Sequence, residues 1–199
     1  MSLPADYFDA LYAANDDPWH FRSRWYESRK RQLTLASLPR QRYQRVFEPG
    51  CANGELSAGL AQRCEHLLCC DASQRAVALA RERLTDYAHA QVYAGQLPQC
   101  WPEQRFDLIV ISEVGYYLDQ QALDDLLQHC IASLSRSGHL LACHWRHPIE
   151  GSPLDGEQVH QLLRQTLPFE QIVFHQEKDF VLELWSASPF AMNLHEVTL

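Results

Sequence analysis

The sequence predicts an α/β fold: a mostly parallel seven-stranded sheet that ends in an antiparallel hairpin and carries helices on both faces. Three observations predict it. Short apolar runs alternate with helical patterns from Arg42 onward; residues 106–112 are apolar almost without a break; and the last two strand-like runs lie too close together for a helical crossover. A parallel strand covered on both faces is apolar throughout, and joining parallel neighbours takes a dozen or more residues.

Each element follows in turn. Residues 42–48 read as a strand stopped by Pro49 and Gly50, and residues 55–64 then place Leu56, Leu60 and Cys64 at helical spacing. Residues 66–70 form a short apolar strand ending at Asp71. Ser73 caps a helix with Ala76, Val77, Ala80 and Leu84 on one face. Residues 90–94 and 106–112 are the third and fourth strands. A helix over 120–135 buries Leu123, Leu126, Leu127, Ile131 and Leu134, and Ser137 with Gly138 turns the chain into a fifth strand over 139–144. Asp155 caps a helix to about Thr166. Residues 169–175 and 180–185 are then strands separated only by residues 176–179, a hairpin connection.

Residues 1–199 are expected to form a single domain, with a helical segment over 1–40 leading into a core over 41–199. Trp19, Trp25 and Tyr26 in the leading segment suit either a lid that excludes water or a helix packed on the sheet. Hydrophobic residues make up 46% of the chain, enough for a core. No run approaches the roughly 20 apolar residues that span a bilayer. The N-terminus carries early acids instead of a signal pattern, so a cytoplasmic protein without a membrane partner is expected.

The seven cysteines are odd in number and lack CxxC spacing, so they are expected as reduced core residues. The ten histidines show neither HxxxH nor HExxH, and no metal is expected. Net charge is -8, yet eight of the 17 basic residues fall between Phe21 and Arg45 against one acid, Glu27. That run reads as a solvated helix face beside an acidic body. The acidic body, with no recognition module and no Asn/Asp-Pro-Pro-Tyr/Phe motif for a flipped base, argues against a nucleic-acid partner.

The first strand–helix turn carries the chemistry. It runs Glu48-Pro-Gly50-Cys51-Ala52-Asn-Gly54, and such a turn lets backbone approach a ligand while the next helix offers free N–H groups. Glu48 at the strand end suits a cationic amino group, and those N–H groups suit a carboxylate. S-adenosylmethionine (SAM) has both. Asp71, at the tip of the second strand, can accept both hydroxyls of a ribose. A dinucleotide is disfavoured because Ala52 stands where pyrophosphate binding needs glycine.

With these residues in place, the sequence resembles the class I SAM-dependent methyltransferases over nearly its whole length, and more closely the nodulation protein S family of N-methyltransferases. The matching stretches are residues 17–20 (Asp-Pro-Trp-His), Tyr26 and Glu27 with Lys30, residues 48–54, 112–118 and 144–146. The resemblance implies a Rossmann-like fold and SAM as cofactor, with S-adenosylhomocysteine (SAH) as product. It places Glu48, Gly50 and Gly54 at the methionine end of SAM and Asp71 at the ribose, with Cys51, Ala52 and Ala72 counted among the cofactor contacts. Gln96 stands where an acid often meets the adenine amine, and an amide oxygen accepts the same hydrogen bond.

The ends of strands four and five should face the methyl group, because ligands of open α/β sheets lie beyond the carboxyl ends of the strands. Glu113, Tyr116 and Tyr117 follow strand four; His144 and Trp145 end strand five. Glu113, His144 and Tyr117 are the expected catalytic residues. Glu113 would orient an ammonium, and His144 or Glu113 would take a proton. Trp19, Tyr116, Tyr117 and Trp145 offer aromatic faces to a sulfonium, and Glu113 and Trp19 are counted among the cofactor contacts. The expected acceptor is a small molecule or glycan; the resemblance implies an amine acceptor, as in an amino sugar or oligosaccharide. Small-molecule O-methylation is the alternative within the class. A non-catalytic module binding a partner through residues 21–45 is the alternative outside it.

Overall fold

The computed structural model describes residues 1–190 and His195. In chain order the elements are α1 (Ala5–Ala14), α2 (Trp25–Ala36), β1 (Tyr43–Pro49), α3 (Glu55–Ala61), β2 (Cys64–Asp71), α4 (Gln74–Arg83), β3 (Ala90–Ala94) and β4 (Phe106–Ser112). A single 3-10 turn (Gly115–Tyr117) leads to α5 (Gln120–Ser133), β5 (Leu134–Trp145), α6 (Gly156–Thr166), β6 (Glu170–Gln176) and β7 (Phe180–Ser186). The seven strands form one sheet in the order β3-β2-β1-β4-β5-β7-β6. The first five run parallel, and β7 lies antiparallel to both β5 and β6. The expected sheet and its closing hairpin are both present.

Two apolar layers flank the sheet. Leu60, Val77, Ala80 and Leu84 of the α3–α4 side pack on one face, joined by Leu33 and Leu35 of α2. Leu123, Leu126, Val159 and Leu163 from α5 and α6 pack on the other. Local signals set the helix starts: the Ser73 side chain accepts from the Ala76 amide, Asp119 does so for Ala122, and Asp155 and Gln158 form a reciprocal capping box. From α1, Phe8 packs against the α5–α6 layer and Tyr12 against Ala76 and Leu79 of α4.

Two boundaries differ from the sequence reading. The helix expected over 55–64 ends at Ala61, and Cys64 opens β2 opposite Tyr43. The Arg63 guanidinium donates to the carbonyls of Leu35, Leu38, Arg40 and Gln41, and its own carbonyl accepts from the Tyr43 amide at 2.8 Å. Those bonds draw the chain into the sheet. The helix expected to 135 ends at Ser133, and β5 begins at Leu134. Leu134 pairs with Phe106 and His139 with Leu108, so Ser137 and Gly138 sit in a bulge within β5 instead of a turn before it.

The seven cysteines are free, six of them buried and Cys100 half-buried. Among the described residues, no helix is long and apolar enough to cross a membrane. The basic run pairs with the acidic body: Arg22 with Glu55, Arg29 with Glu177, Arg40 with Asp107 and Arg42 with Glu65. The strand order reverses beside β1, whose neighbours are β2 and β4. That reversal opens a crevice at the carboxyl ends of these strands.

Candidate active site

A cavity of about 440 Å³ fills the crevice. The β1–α3 turn forms its floor. Gly50, Ala52 and Gly54 take positive φ angles of 74°, 52° and 80°. A Cβ on Gly54 would stand 3.0 Å from the Ala80 Cα, so the turn is pressed against α4. Ala52 tolerates its left-handed conformation because it is held there: its amide donates to Asp71 Oδ2 at 2.9 Å. Asp71 Oδ1 also accepts from the Ser73 amide at 2.9 Å. Burial pushes the Asp71 carboxyl up to about 6, against the pull of these amides.

Glu48 lies at the end of β1, 2% exposed. Ser57 Oγ donates to it at 2.5 Å and Cys69 Sγ at 3.5 Å. Burial pushes its carboxyl up to about 7. No cation pairs with it among the described residues. Nearby, the buried Tyr12 Oη and Asn53 Oδ1 lack partners, as does Tyr26 Oη at the other end; all three residues line the cavity. A buried polar group without a partner costs about 1–3 kcal/mol, so these atoms mark places for a polar ligand. An amino acid moiety joined to a nucleoside matches this set: a carboxylate for an ammonium, amides at the α3 start for a carboxylate, and Asp71 for hydroxyls.

The opposite wall is built around Glu113, which also takes a left-handed conformation (φ 56°). Its Oε2 accepts from Tyr116 Oη at 2.6 Å and from the Trp145 amide at 2.9 Å, while Oε1 accepts from Lys30. Lys30 Nζ lies 3.1 Å from Glu27 as well, and Lys30 is 5% exposed. Burial lowers the lysine's proton affinity, but Glu113 and Glu27 outweigh it and raise it above the ordinary value. Lys30 is therefore a fixed cation. The Tyr26 ring lies 5.1 Å from Lys30 Nζ and meets Trp145 edge-on.

The leading segment roofs the cavity with Leu3, Phe8, Tyr12, Trp19 and Phe21. The Leu3 amide donates to the Tyr117 carbonyl at 2.9 Å, and Gln96 Nε2 donates to the Leu3 carbonyl at 3.5 Å. At the other end, Asn53 Nδ2 donates to Asp17 at 3.1 Å.

Of the residues singled out from sequence, Trp19, Glu48, Gly50, Cys51, Ala52, Asp71, Ala72, Gln96, Glu113 and Tyr117 all line this cavity. Gly54 lies beneath it, at the start of α3. His144 lies behind the wall. It is fully buried, its Nε2 accepts from the Gly115 amide at 3.1 Å, and its Nδ1 is hydrogen-bonded to His160 at 3.0 Å. With both nitrogens engaged, it has none to offer a proton from the cavity. Tyr116 and Tyr117 are both buried and both reach the cavity. Trp25 points outward, 72% exposed.

The site also contains residues that were not singled out for it: Tyr12, Asn53, Arg24, Arg31 and Thr34. Lys30 stands out in the sequence only as part of a stretch that resembles the family. The Glu27–Lys30 pair at i, i+3 was visible on a helical run; the approach of Glu113 from β4 was not.

Comparisons with known proteins identify the family and the fold. A family model for nodulation protein S matches residues 9–152. Nodulation protein S of Sinorhizobium fredii (strain NGR234) is 33% identical over 130 residues, covering 64% of this chain and 60% of that protein. The Rhizobium tropici protein of the same name is 32% identical, over 64% and 55%. The chain thus spans only about 60% of the length of the curated relatives it matches. Among solved structures, a Pseudomonas syringae protein classed provisionally as a methyltransferase is 55% identical, covers 82% of this chain and 99% of its own, and gives a TM-score of 0.74. The N-methyltransferase NodS from Bradyrhizobium japonicum WM9, in complex with SAH, is 26% identical over 92% and 98%, with a TM-score of 0.82. The fold is that of the class I SAM-dependent methyltransferases, and the chain belongs to the nodulation protein S family.

Proposed function

We propose that this chain is a SAM-dependent methyltransferase acting on an amine of a small molecule or glycan, an amino sugar or oligosaccharide being the favoured acceptor. The carrying observation is the buried Glu48 carboxylate, without a cation partner among the described residues, in a cavity whose other wall is lined by Glu113, Tyr116 and Trp145. When bound, SAM supplies an electrophilic methyl group on a sulfonium, with a neutral thioether as leaving group. Glu48 would hold its ammonium, the amides around Gly50–Gly54 its carboxylate, Asp71 its ribose, and Gln96 its adenine amine. Cys51, Ala72 and Trp19 would close around it.

The protein's own task is alignment of the acceptor with the methyl group. Glu113 already accepts three hydrogen bonds, so its part is to fix Tyr116 and the Trp145 backbone as the acceptor wall. Burial raises the Tyr117 hydroxyl well above its ordinary value, which leaves it a hydrogen-bond donor. His144, taken up on both nitrogens, is a positioning group instead of a base. The acceptor amine then loses its proton to water.

Residues 1–40 serve as the lid of a single domain whose core is 41–199; the bonds of Leu3 and Asp17 to opposite ends of the cavity support this. Seven unpaired cysteines support a cytoplasmic address.

Calorimetric titration with SAM and SAH is the first test, followed by methyl transfer to glucosamine and chitosan oligosaccharides. Micromolar binding of both nucleosides with methylation at nitrogen is the expected result. No binding by folded protein would overturn the enzyme reading, whereas binding with methylation at oxygen would leave the class and correct the acceptor.

A further inference from the structure

A chain of buried polar groups runs from the acceptor wall along the α6 face of the sheet to β7. The Gly115 amide donates to His144 Nε2 at 3.1 Å, His144 Nδ1 is hydrogen-bonded to His160 Nε2 at 3.0 Å, and His160 Nδ1 to Glu183 Oε2 at 2.5 Å. Arg164 and Gln171 donate to the other Glu183 oxygen at 2.7 and 2.6 Å. His144, His160 and Glu183 are all fully buried. None of the three touches the cavity.

The direction of this chain follows from its first member. A backbone amide is always a donor, so His144 Nε2 carries no proton and Nδ1 carries the only one. His160 Nε2 must then accept, which puts the His160 proton on Nδ1, facing the carboxylate. Burial opposes ionisation of Glu183, but its bonds from His160 and Arg164 together outweigh it and hold the carboxyl below its ordinary range. A second proton on His144 is opposed first by burial, then by His160 on α6 and Lys30 on α2. The Tyr116 ring meets it edge-on at 5.5 Å. A Cβ on Gly115 would stand 3.0 Å from His144 Nε2 and 2.7 Å from Val159 Cγ1, so the contact has no slack.

We propose that Glu183, acting through His160, fixes His144 as the neutral Nδ1–H tautomer, which anchors Gly115 and with it the Glu113–Tyr116 turn of the acceptor wall. The three are positioning residues. The functional part of the proposal rests on the methyltransferase reading above, but the tautomer does not. An orienting carboxylate behind a histidine is used elsewhere to select an imidazole tautomer for proton transfer or metal binding. Here its product is a backbone position.

Nitrogen-15 NMR of histidine-labelled protein tests the first half. At pH 7 the expected His144 signal is neutral with its proton on Nδ1; an Nε2–H or doubly protonated ring would overturn the proposal. Amide hydrogen exchange tests the second half. Protection of Gly115 should fall at least tenfold in His160→Phe and stay within threefold of the parent in His160→Gln, whose amide can accept from His144 and donate to Glu183. Equal protection in both variants would overturn the anchoring role. Should His160→Phe fail to fold, Gly115→Ala presses on the same contact from the other side: His144 should keep its Nδ1–H signature, held by His160 and Glu183, while kcat falls, and loss of that signature would overturn the proposal. With glucosamine or a chitosan oligosaccharide as acceptor, His160→Phe should lower kcat about tenfold with KM for SAM within threefold, restored by His160→Gln. SAH affinity should stay within threefold in every variant, since Glu48 and Asp71 are untouched. Failure of SAH to bind the parent protein would overturn the methyltransferase reading and leave the tautomer result standing.

Discussion

At one end of the cavity, Glu48, the 50–54 turn and Asp71 all come from one strand–helix–strand unit; at the other, Lys30, Glu113, Tyr116 and Trp145 come from α2 and the ends of β4 and β5. Each end contains one non-glycine residue in a left-handed conformation, Ala52 and Glu113, a state that costs roughly 1–2 kcal/mol. Ala52 is held by a single bond to Asp71, and that bond is local to the unit. Glu113 is held by Lys30, Tyr116 and Trp145, which arrive from three separate directions. The first end leaves a carboxylate, Glu48, waiting for a partner, and the second saturates its carboxylate. One end is built to receive charge from outside, and the other to keep its charges fixed.

The largest expected effect breaks the receiving end. Glu48→Gln keeps the shape and removes the charge; Asp71→Asn does the same at the ribose position. Each should weaken SAH binding about 100-fold by calorimetry, since a charge-assisted bond contributes about 1.5–3 kcal/mol. Thermal stability should stay level or rise in Glu48→Gln, whose carboxylate is buried at a cost that the amide avoids, and fall in Asp71→Asn, whose NH2 group cannot accept from a backbone amide as the second carboxylate oxygen does. An unchanged SAH affinity in both would remove these residues from the cofactor site.

The fixed end should respond in the opposite sense. Lys30→Met leaves Glu27 and Glu113 facing each other without their shared cation. Loss of one partner of a buried pair costs about 3–5 kcal/mol in a dry interior; the Glu27 and Glu113 side chains keep 10% and 14% exposure, so about 2 kcal/mol is expected in urea unfolding. Amides of α2 should lose exchange protection, while SAH affinity changes less than fivefold. If stability holds and affinity collapses instead, Lys30 belongs to the cofactor end.

This contrast also explains what the sequence could show. A glycine turn, its strand, its helix and a terminal acid lie close together in the chain, so their spacing alone could bring Glu48 and Asp71 to one cavity. Strand ends could be located in the same way, which brought Glu113 and Tyr117 to the crevice. Side-chain direction could not. His144 ends β5 as expected, but its alternation along the strand and the arrival of His160 from α6 turn it away from the cavity. Tyr12 was likewise hidden, because it reaches the site only through the docking of α1 on α4. The bulge at Ser137 and Gly138 was misread as a turn since both features favour the same small residues.

A pH titration sharpens the comparison without a mutation. Glu48 rests near pH 7 in the free protein, raised by burial. Below that value it is largely protonated and cannot pair with an ammonium; above it the carboxylate is available. SAH affinity should therefore fall as pH drops below about 7, by up to tenfold per unit, and binding at pH 6.5 should release a proton. Calorimetry in two buffers of different ionisation enthalpy reads that proton directly. Glu48→Gln must abolish the step near pH 7 and leave only the one near 6 that belongs to Asp71.

The smallest expected effect lies on the lid. Trp25 and Trp19 both belong to the leading segment, but Trp19 lines the cavity and packs on Tyr12 at 5.8 Å, whereas Trp25 is 72% exposed. An exposed aromatic contributes little to stability, and its substitution usually stays within about 0.5 kcal/mol. Trp25→Ala should therefore leave both unfolding and SAH affinity unchanged, while Trp19→Ala weakens SAH binding several-fold. The two variants change the same residue type in the same segment, so their difference isolates contact with the cavity from general loss of aromatic surface. Equal behaviour would mean that the lid acts through its own packing and that Trp19 does not meet the ligand.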